Sequence, residues 1–439
     1  MNNPYDNPRR KFLKTSALVT GGLLLNPFSL PGAYAAGSDE IKLAVIGCGG
    51  RGTGAVFQAI ETGHNIKLVA MADAFRDRID KSYEPMISKY GKDKIDVPEE
   101  RKFVGFEGYK EAIKLADVVI LAAPPGFRPD HFEESVKQGK QIFMEKPVAT
   151  DAVGIRRVLA AAEEAKRKKL NVVVGLQRHY QDNYRETIKR VNDGAIGDIV
   201  AGQVYWNDGG VWVNARQEGQ TEMEYQMRNW YYFNWLCGDH ITEQHVHNID
   251  IANWVKGGYP VKAEGTGGRM VRNGKDHGEI FDHHSVTFTY EDGTTIFSEC
   301  RHFPGAHNRV DETFQGTNGK VYLSAGNHGI ITDRKGNNIY NHNRDKNRNP
   351  YQVEHDELFD AIVKGEYKYA DAENAAKSTM TSIMGRYATY SGKPVNWEEA
   401  LNSNVNLMPD RLAWDAMPKV LPNEDGFYPH AIPGKTKVI

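Results

Sequence analysis

The stretch Ile41-Lys-Leu-Ala-Val-Ile-Gly-Cys-Gly-Gly-Arg-Gly52 restricts the fold of this chain more than any other. A β-branched apolar run ends in Gly47, Gly49 and Gly52 at G-x-G-x-x-G spacing, and a helical stretch follows over residues 55–61. The first glycine of such a turn permits the bend, the second admits a pyrophosphate against the backbone, and the third lets helix pack on strand. Cys48, Gly50 and Arg51 complete the turn, whose unpaired N–H groups point at the phosphates from a helix N-terminus. A second apolar strand, Ile66-Lys-Leu-Val-Ala-Met-Ala72, ends in Asp73, close to the ~20-residue offset at which an acid binds a ribose diol. The reading is a Rossmann unit holding NAD. An acid there repels a 2′-phosphate, so NADP is the less favoured cofactor, with Arg76 nearby as the residue that keeps it in play.

From residue 41 to about 174 apolar strands alternate with helical stretches, the pattern of a doubly wound parallel sheet covered on both faces. Asp117-Val-Val-Ile-Leu-Ala-Ala-Pro124 and Gln141-Ile-Phe-Met-Glu-Lys-Pro147 are two more strands, and their C-terminal ends should face the glycine turn. Beyond residue 178 longer strands rich in β-branched and aromatic residues appear at 199–206, 284–290, 294–300 and 319–324. Tyr290-Glu-Asp-Gly-Thr is a hairpin signal, so the second part reads as α+β with a mostly antiparallel sheet. Residues 402–439, rich in Pro and Asn, resemble an arm. The organisation expected is a Rossmann domain over 37–177, a substrate domain over 178–401 and that arm.

Asn7-Pro-Arg-Arg-Lys-Phe-Leu-Lys14, a short apolar stretch and Ala33-Tyr-Ala35 look like a twin-arginine export signal, which sets residues 1–36 apart from the fold and predicts a periplasmic protein. That stretch is too short and glycine-rich for a stable membrane anchor. With 55 Lys and Arg against 57 Asp and Glu, the chain has no electrostatic footprint for nucleic acid. Cys48, Cys237 and Cys300 match no zinc spacing and make no disulfide framework, so they read as small buried residues.

The ordered set of the glycine turn with Asp73, Ala123-Pro124, Glu145-Lys146-Pro147, Gly194-Ala-Ile-Gly197, Gly316-Thr-Asn-Gly319 and Ser378-Thr379 resembles the glucose-fructose oxidoreductase/inositol dehydrogenase (Gfo/Idh/MocA) family over residues 40–400. The resemblance implies that an open sheet covers the cofactor crevice and that copies can associate through it. It implies that Lys146 reaches both the nicotinamide ribose and the reacting hydroxyl, with Ala123, Pro124 and Glu145 beside the cofactor. The family's Asp and, four residues later, its His correspond to Glu243 and His247, which share a helical face at i and i+4. His247 would be the general base. Two places depart from the pattern: Pro125 and Arg128 stand where an Asn and a His are usual, which leaves the contacts at the nicotinamide end open.

Removing a hydride from a sugar carbon requires that the hydroxyl proton leave too, so the site needs a base and a group that polarises oxygen. Arg178 and Tyr180 match the point where the family turns toward substrate. Trp206, Asn207, Arg228 and Trp230 add aromatic faces and polar groups suited to a sugar or cyclitol. His240 lies three residues before Glu243 and joins the same face if the segment is one helix. A His-x-x-Glu-x-x-x-His face also carries ligands for a divalent metal, but the same groups fit sugar hydroxyls, and no metal is assigned. Asp282-His283-His284 reads as a turn.

An exported dehydrogenase meets no pool of free NAD, so its cofactor should be bound before export and regenerated in place. The first reading is therefore an NAD-dependent oxidoreductase acting on a sugar or cyclitol hydroxyl. The second is an NAD-dependent glycosidase of the same family, working by transient oxidation at C3 and elimination. The third is a carbohydrate-binding protein without turnover, which would have no need of Lys146 and His247.

Overall fold

The apolar runs at the start of the chain form six parallel strands: β1 (Ile41–Ile46), β2 (Ile66–Asp73), β3 (Lys102–Val104), β4 (Val118–Leu121), β5 (Gln141–Met144) and β6 (Val172–Val174). This is a computed structural model that describes residues 40–439; the export segment read over 1–36 lies outside them. The spatial order β3-β2-β1-β4-β5-β6 reverses direction between β1 and β4, and a ligand crevice opens at such a switch point beyond the carboxyl ends of the strands. Every residue of β4 and β6 is buried, because helices cover both faces and leave no solvent side for a polar alternate. Helix Ala152–Arg167 starts where the Asp151 side chain accepts the Gly154 N–H at 2.8 Å, and it buries Ile155, Val158 and Ala162.

Much later in sequence, helix Pro350–Val363 returns to this layer. Its Val353, Leu358, Phe359 and Ile362 join the core of Leu43, Val45, Ala55 and Val56, and Gln352 donates to the Gln58 carbonyl at 2.9 Å.

The second sheet has nine strands: β7 (Ile199–Asp208), β8 (Lys262–Gly268), β9 (His283–Thr289), β10 (Thr295–His302), β11 (Arg309–Gly316), β12 (Gly319–Ser324), β13 (His328–Asp333), β14 (Asn338–Asn341) and β15 (Val395–Asn396). Their order is β14-β13-β12-β11-β7-β10-β9-β8-β15, antiparallel throughout except for the parallel pair β7/β10. The turn at Gly293, with φ +84°, closes the β9–β10 hairpin that the sequence signalled. Alternate residues such as Val286, Phe288, Ile296 and Cys300 are buried, whereas Gln203, Tyr205 and Phe297 point the other way, as a period of two requires. The buried face joins one core with Ile249 and Ile251 of helix Val246–Lys256 and Ile383 and Met384 of helix Ala372–Ser391.

Residues 402–439 contain neither helix nor strand and lie across the rim of the crevice. Trp414 packs on Phe75 and Phe106 with ring centroids 5.0 and 4.7 Å apart, Leu407 N–H donates to Asp151, and Tyr428 stacks on Tyr225. Cys48, Cys237 and Cys300 are all free and buried. Among the described residues, no helix is long and apolar enough to cross a membrane.

Candidate active site

The turn after β1 divides its glycines by what surrounds them. Gly47 has φ +94°, and a Cβ there would lie 2.2 Å from the Ala123 nitrogen. A Cβ on Gly52 would lie 2.0 Å from the Gly47 carbonyl oxygen. These two are demanded by packing. A Cβ on Gly49 or Gly50 would meet nothing within 4 Å, so their bareness serves empty space at the N-terminus of helix Gly50–Glu61. That space beside free N–H groups fits a pyrophosphate. At the end of β2, Asp73 accepts the N–H of Cys48 at 2.8 Å and that of Phe75 at 2.9 Å. Burial raises its pKa against these two bonds, and a carboxylate holding one N–H on each oxygen still has acceptor sites for a ribose diol.

The cradle forms one end of a cavity of about 720 Å³ between the two sheets. Its wall includes Gly47, Gly49, Gly50, Arg51, Asp73, Ala123, Pro124, Arg128, Glu145 and Lys146 from the first sheet's side, and Trp206, Arg228, Trp230, Glu243 and His247 from the second. Arg51 is held by Glu145 and lies 3.5 Å from Glu354. Arg128 is buried and donates to the carbonyls of Glu145 (3.0 Å) and Ala123 (2.6 Å), and burial brings its pKa down to about 10.

Lys146 follows β5 and reaches across the cavity. Its Nζ donates to the Glu243 carboxylate at 3.0 Å and to the Glu243 carbonyl at 2.5 Å. His247 lies four residues on, past a break in the helix, stacked on Trp206 at 5.9 Å between centroids, and the Arg178 guanidinium lies 5.9 Å from that indole. The His247 Nδ1 is buried without a partner among the described residues, which leaves Nε2 for the cavity. Burial, then the nearby charges of Lys146 and Arg178, hold the imidazole pKa well below the usual histidine value, so the ring is neutral and able to take a proton at pH 7.

A family model described as the oxidoreductase family with an NAD-binding Rossmann fold, GFO/IDH/MocA, matches residues 41–174, and the GFO/IDH/MocA C-terminal domain matches residues 184–322. The chain belongs to the GFO/IDH/MocA oxidoreductase family. Inositol 2-dehydrogenase of Rhizobium meliloti is 24% identical over 52% of this chain and 59% of its own length. The scyllo-inositol 2-dehydrogenase (NAD(+)) of Bacillus subtilis is 23% identical over 67% of this chain and 76% of its own. The chain thus spans less than two thirds of the first of these curated relatives. Among solved structures, a levoglucosan dehydrogenase in complex with NADH and levoglucosan superposes with TM-score 0.63 at 13% identity, covering 82% of this chain and 99% of that one. The aldose-aldose oxidoreductase of Caulobacter crescentus gives 0.61 at 16% identity over 82% and 100%. At these identities the structures show a shared fold, and NAD is the cofactor that the family and the cradle agree on.

Several candidates of this GFO/IDH/MocA member stand away from the cavity wall. His240 and Glu243 lie on one short helix, His240–Glu243, but the chain breaks at Gln244 and His245 before a new helix starts at Val246, so the expected i,i+4 helical face of Glu243 and His247 does not form, although both side chains line the cavity. His240 is fully buried, with Nδ1 2.9 Å from Asp239. Tyr180 is buried and donates to Asp371 at 2.6 Å, and Asn207 donates to Glu299 at 2.7 Å. Arg178 pairs with buried Glu312 and acts on the site only through Trp206 and its charge. Cys48 and Gly52 support the cradle from behind. Arg228 lines the cavity, but its guanidinium is taken by Asp77 at 3.1 Å and Glu224 at 3.1 Å.

The triad His240, Glu243 and His247 therefore makes no ligand set. Among the described residues, potential ligand atoms converge instead at Asp239, His240 and His284, fully buried and next to the Arg272 cation. His283 and His284 begin β9 and are not a turn; Asp282 before them accepts the backbone N–H groups of Met270, Val271 and Arg272. Gln244, Asn214, Arg78 and Tyr351 also line the cavity and were missed. Gln244 carried a signal, lying between Glu243 and His247; Tyr351 carried none, since it arrives on the returning helix.

Proposed function

We propose that this protein oxidises or reduces the carbinol carbon of a neutral sugar or cyclitol, with an NAD that stays bound between turnovers. The observation that carries this reading is the meeting of Lys146, Glu243 and His247 on one cavity with the glycine cradle. When bound, NAD supplies the acceptor and donor of hydride. Lys146, steadied by Glu243, donates a hydrogen bond to the substrate oxygen and stabilises the charge that develops on it. His247 takes the hydroxyl proton at Nε2. Trp206 and Trp230 offer flat faces to the ring C–H groups. The names of the relatives, inositol and sugar dehydrogenases, support this substrate class. Asp73 favours NAD over NADP by repelling a 2′-phosphate.

Retention is supported by the rim: Arg228 lies 4.0 Å over Phe75 and pairs with Asp77, while Trp414 braces Phe75 and Phe106 from behind. The Arg228–Asp77 pair is partly exposed, so it and the cation–π contact together contribute about 1 kcal/mol. Arg228→Ala is accordingly expected to speed NAD loss about fivefold, read by dilution and gel filtration with assay of retained cofactor. Retained NAD also suits export in the folded state by the twin-arginine route, which fractionation of cells expressing Arg9→Lys/Arg10→Lys would test. Association through the outer face of the nine-stranded sheet is part of the same reading, and light scattering would measure it.

The deciding experiment incubates the holoprotein with sugars, cyclitols and aryl glycosides and follows the reduced-nicotinamide absorbance together with aglycone release. Net reduction without release supports the oxidoreductase. Release without net reduction would support the glycosidase, and binding with neither would support a protein without turnover. Because His247 is held neutral, the acid limb of kcat/KM should lie well below pH 6.5; a limb at or above 6.5 would remove His247 as the base.

A further inference from the structure

Gln244 is a polar side chain on the substrate side whose orientation is dictated from deep inside the protein. Arg272, 4% exposed, is fixed by the Phe281 carbonyl and by the anchoring of its own N–H on Asp282, and it donates through Nη2 to Nδ1 of His302. A guanidinium has no acceptor, so that ring nitrogen must accept. The proton of a neutral His302 then sits on Nε2, which lies 2.6 Å from the Gln244 side-chain oxygen and 3.5 Å from Asp208. Both of these are acceptors. The other hydrogen bonds of Asp208, from Trp206 Nε1 at 3.0 Å and Gly210 N at 2.8 Å, keep it an acceptor as well. Gln244 must therefore turn its oxygen inward, and its NH₂ group, which no hydrogen bond among the described residues engages, faces the cavity.

We propose that Gln244 is a substrate-orienting donor, set by the one-way chain Arg272 to His302 to Gln244, and that the group it receives is a hydroxyl, ring or carbonyl oxygen. The proposal rests on the sugar or cyclitol reading of this cavity. Gln244 directly follows Glu243, and its backbone carbonyl accepts the His247 N–H at 3.2 Å, so the donor, the Lys146–Glu243 pair and the base belong to one turn of chain. The amide carries two N–H groups and no charge. It can thus fix one oxygen of a polyol while Lys146 and His247 act on the reacting hydroxyl, and it selects which carbon is presented. His302 and Arg272 touch no substrate; they are positioning residues.

Two measurements test this. In ¹⁵N-histidine NMR of the NAD-loaded protein, with the His302 signals identified by their loss in His302→Gln, His302 should carry its proton on Nε2 and show Nδ1 as an acceptor. A proton on Nδ1 would overturn the chain whatever the substrate. In the second, wild type and the near-isosteric Gln244→Met are titrated with myo-inositol, D-glucose and D-galactose, following tryptophan fluorescence and cofactor reduction. For the polyol that wild type binds most tightly, Gln244→Met should weaken binding about tenfold or more, with NAD content unchanged. Binding within twofold of wild type would overturn the role of Gln244. If polyols bind without reducing the cofactor, the oxidoreductase reading fails, while the binding loss still upholds the donor.

Discussion

Lys146→Ala is expected to lower turnover by about 10²- to 10⁴-fold while the purified protein keeps its NAD. The ammonium stands where the crevice of the first sheet meets the helical segment over the second, and its charge is balanced by Glu243 at 3.0 Å. Truncation removes the donor to the substrate oxygen and also leaves the Glu243 carboxylate unpaired beside the reacting group, an anion where negative charge must develop. Lys146→Arg should rescue little, because a planar fork cannot replace a compact point charge in a site built around one. Single-turnover reduction of bound cofactor measures the effect, and assay of NAD released on denaturation confirms retention; full activity in the alanine variant would end the role given to the lysine. A second effect has a fixed sign. Lys146 is one of the charges that hold the His247 pKa down, so residual activity in Lys146→Ala should show its acid limb moved upward, toward the ordinary histidine value.

The second large effect separates two glycines two residues apart. Gly52→Ala places a Cβ 2.0 Å from the Gly47 carbonyl oxygen, a backbone atom that cannot swing aside, so the start of the helix must move off β1. A destabilisation of about 3 kcal/mol or more is expected, visible in thermal unfolding of the apoprotein or as failure to accumulate folded protein. Gly50→Ala meets no atom of the described residues within 4 Å and replaces a helical glycine by the best helix former, so the apoprotein should be as stable as wild type or more so. Its methyl instead enters the space beside the phosphate-facing N–H groups, and co-purified NAD should fall at least tenfold. Equal NAD content in Gly50→Ala and wild type would place the pyrophosphate elsewhere.

The cradle was legible because everything that defines it is contiguous: strand, glycines, helix start and the acid at the end of the next strand. Lys146, Glu243 and His247 were singled out by the family pattern, and all three line the cavity, though Glu243 and His247 do so from two helices and not from one. Arg178, Tyr180 and Asn207 were misplaced because a polar residue near the end of a strand reads alike whether it faces a cavity or a buried partner, and here the partners Glu312, Asp371 and Glu299 lie 134, 191 and 92 residues away. The same buried pair hid β11. Its inward Glu312, sequestered by Arg178, Tyr184 and Asn248, interrupts the apolar alternation by which a strand is recognised. Two further facts were hidden: neither glycine nor proline marks the helix break between Glu243 and His247, so the sequence reads as one wheel where the chain makes two, and His240 is buried against its own neighbour Asp239.

The bracing of the crevice by residues 402–439 carries a consequence in linkage. Phe75 and Phe106 line the cavity on one side and hold Trp414 on the other, so whatever occupies the cavity and whatever detaches the tail act on the same two rings. Coupling of this kind is reciprocal: if a docked tail tightens cofactor binding by some factor, bound cofactor must resist undocking by that same factor. With coupling of that sign, protease sensitivity within the last 38 residues is expected to be lower in NAD-loaded than in empty protein, a difference read on a gel before any substrate is known.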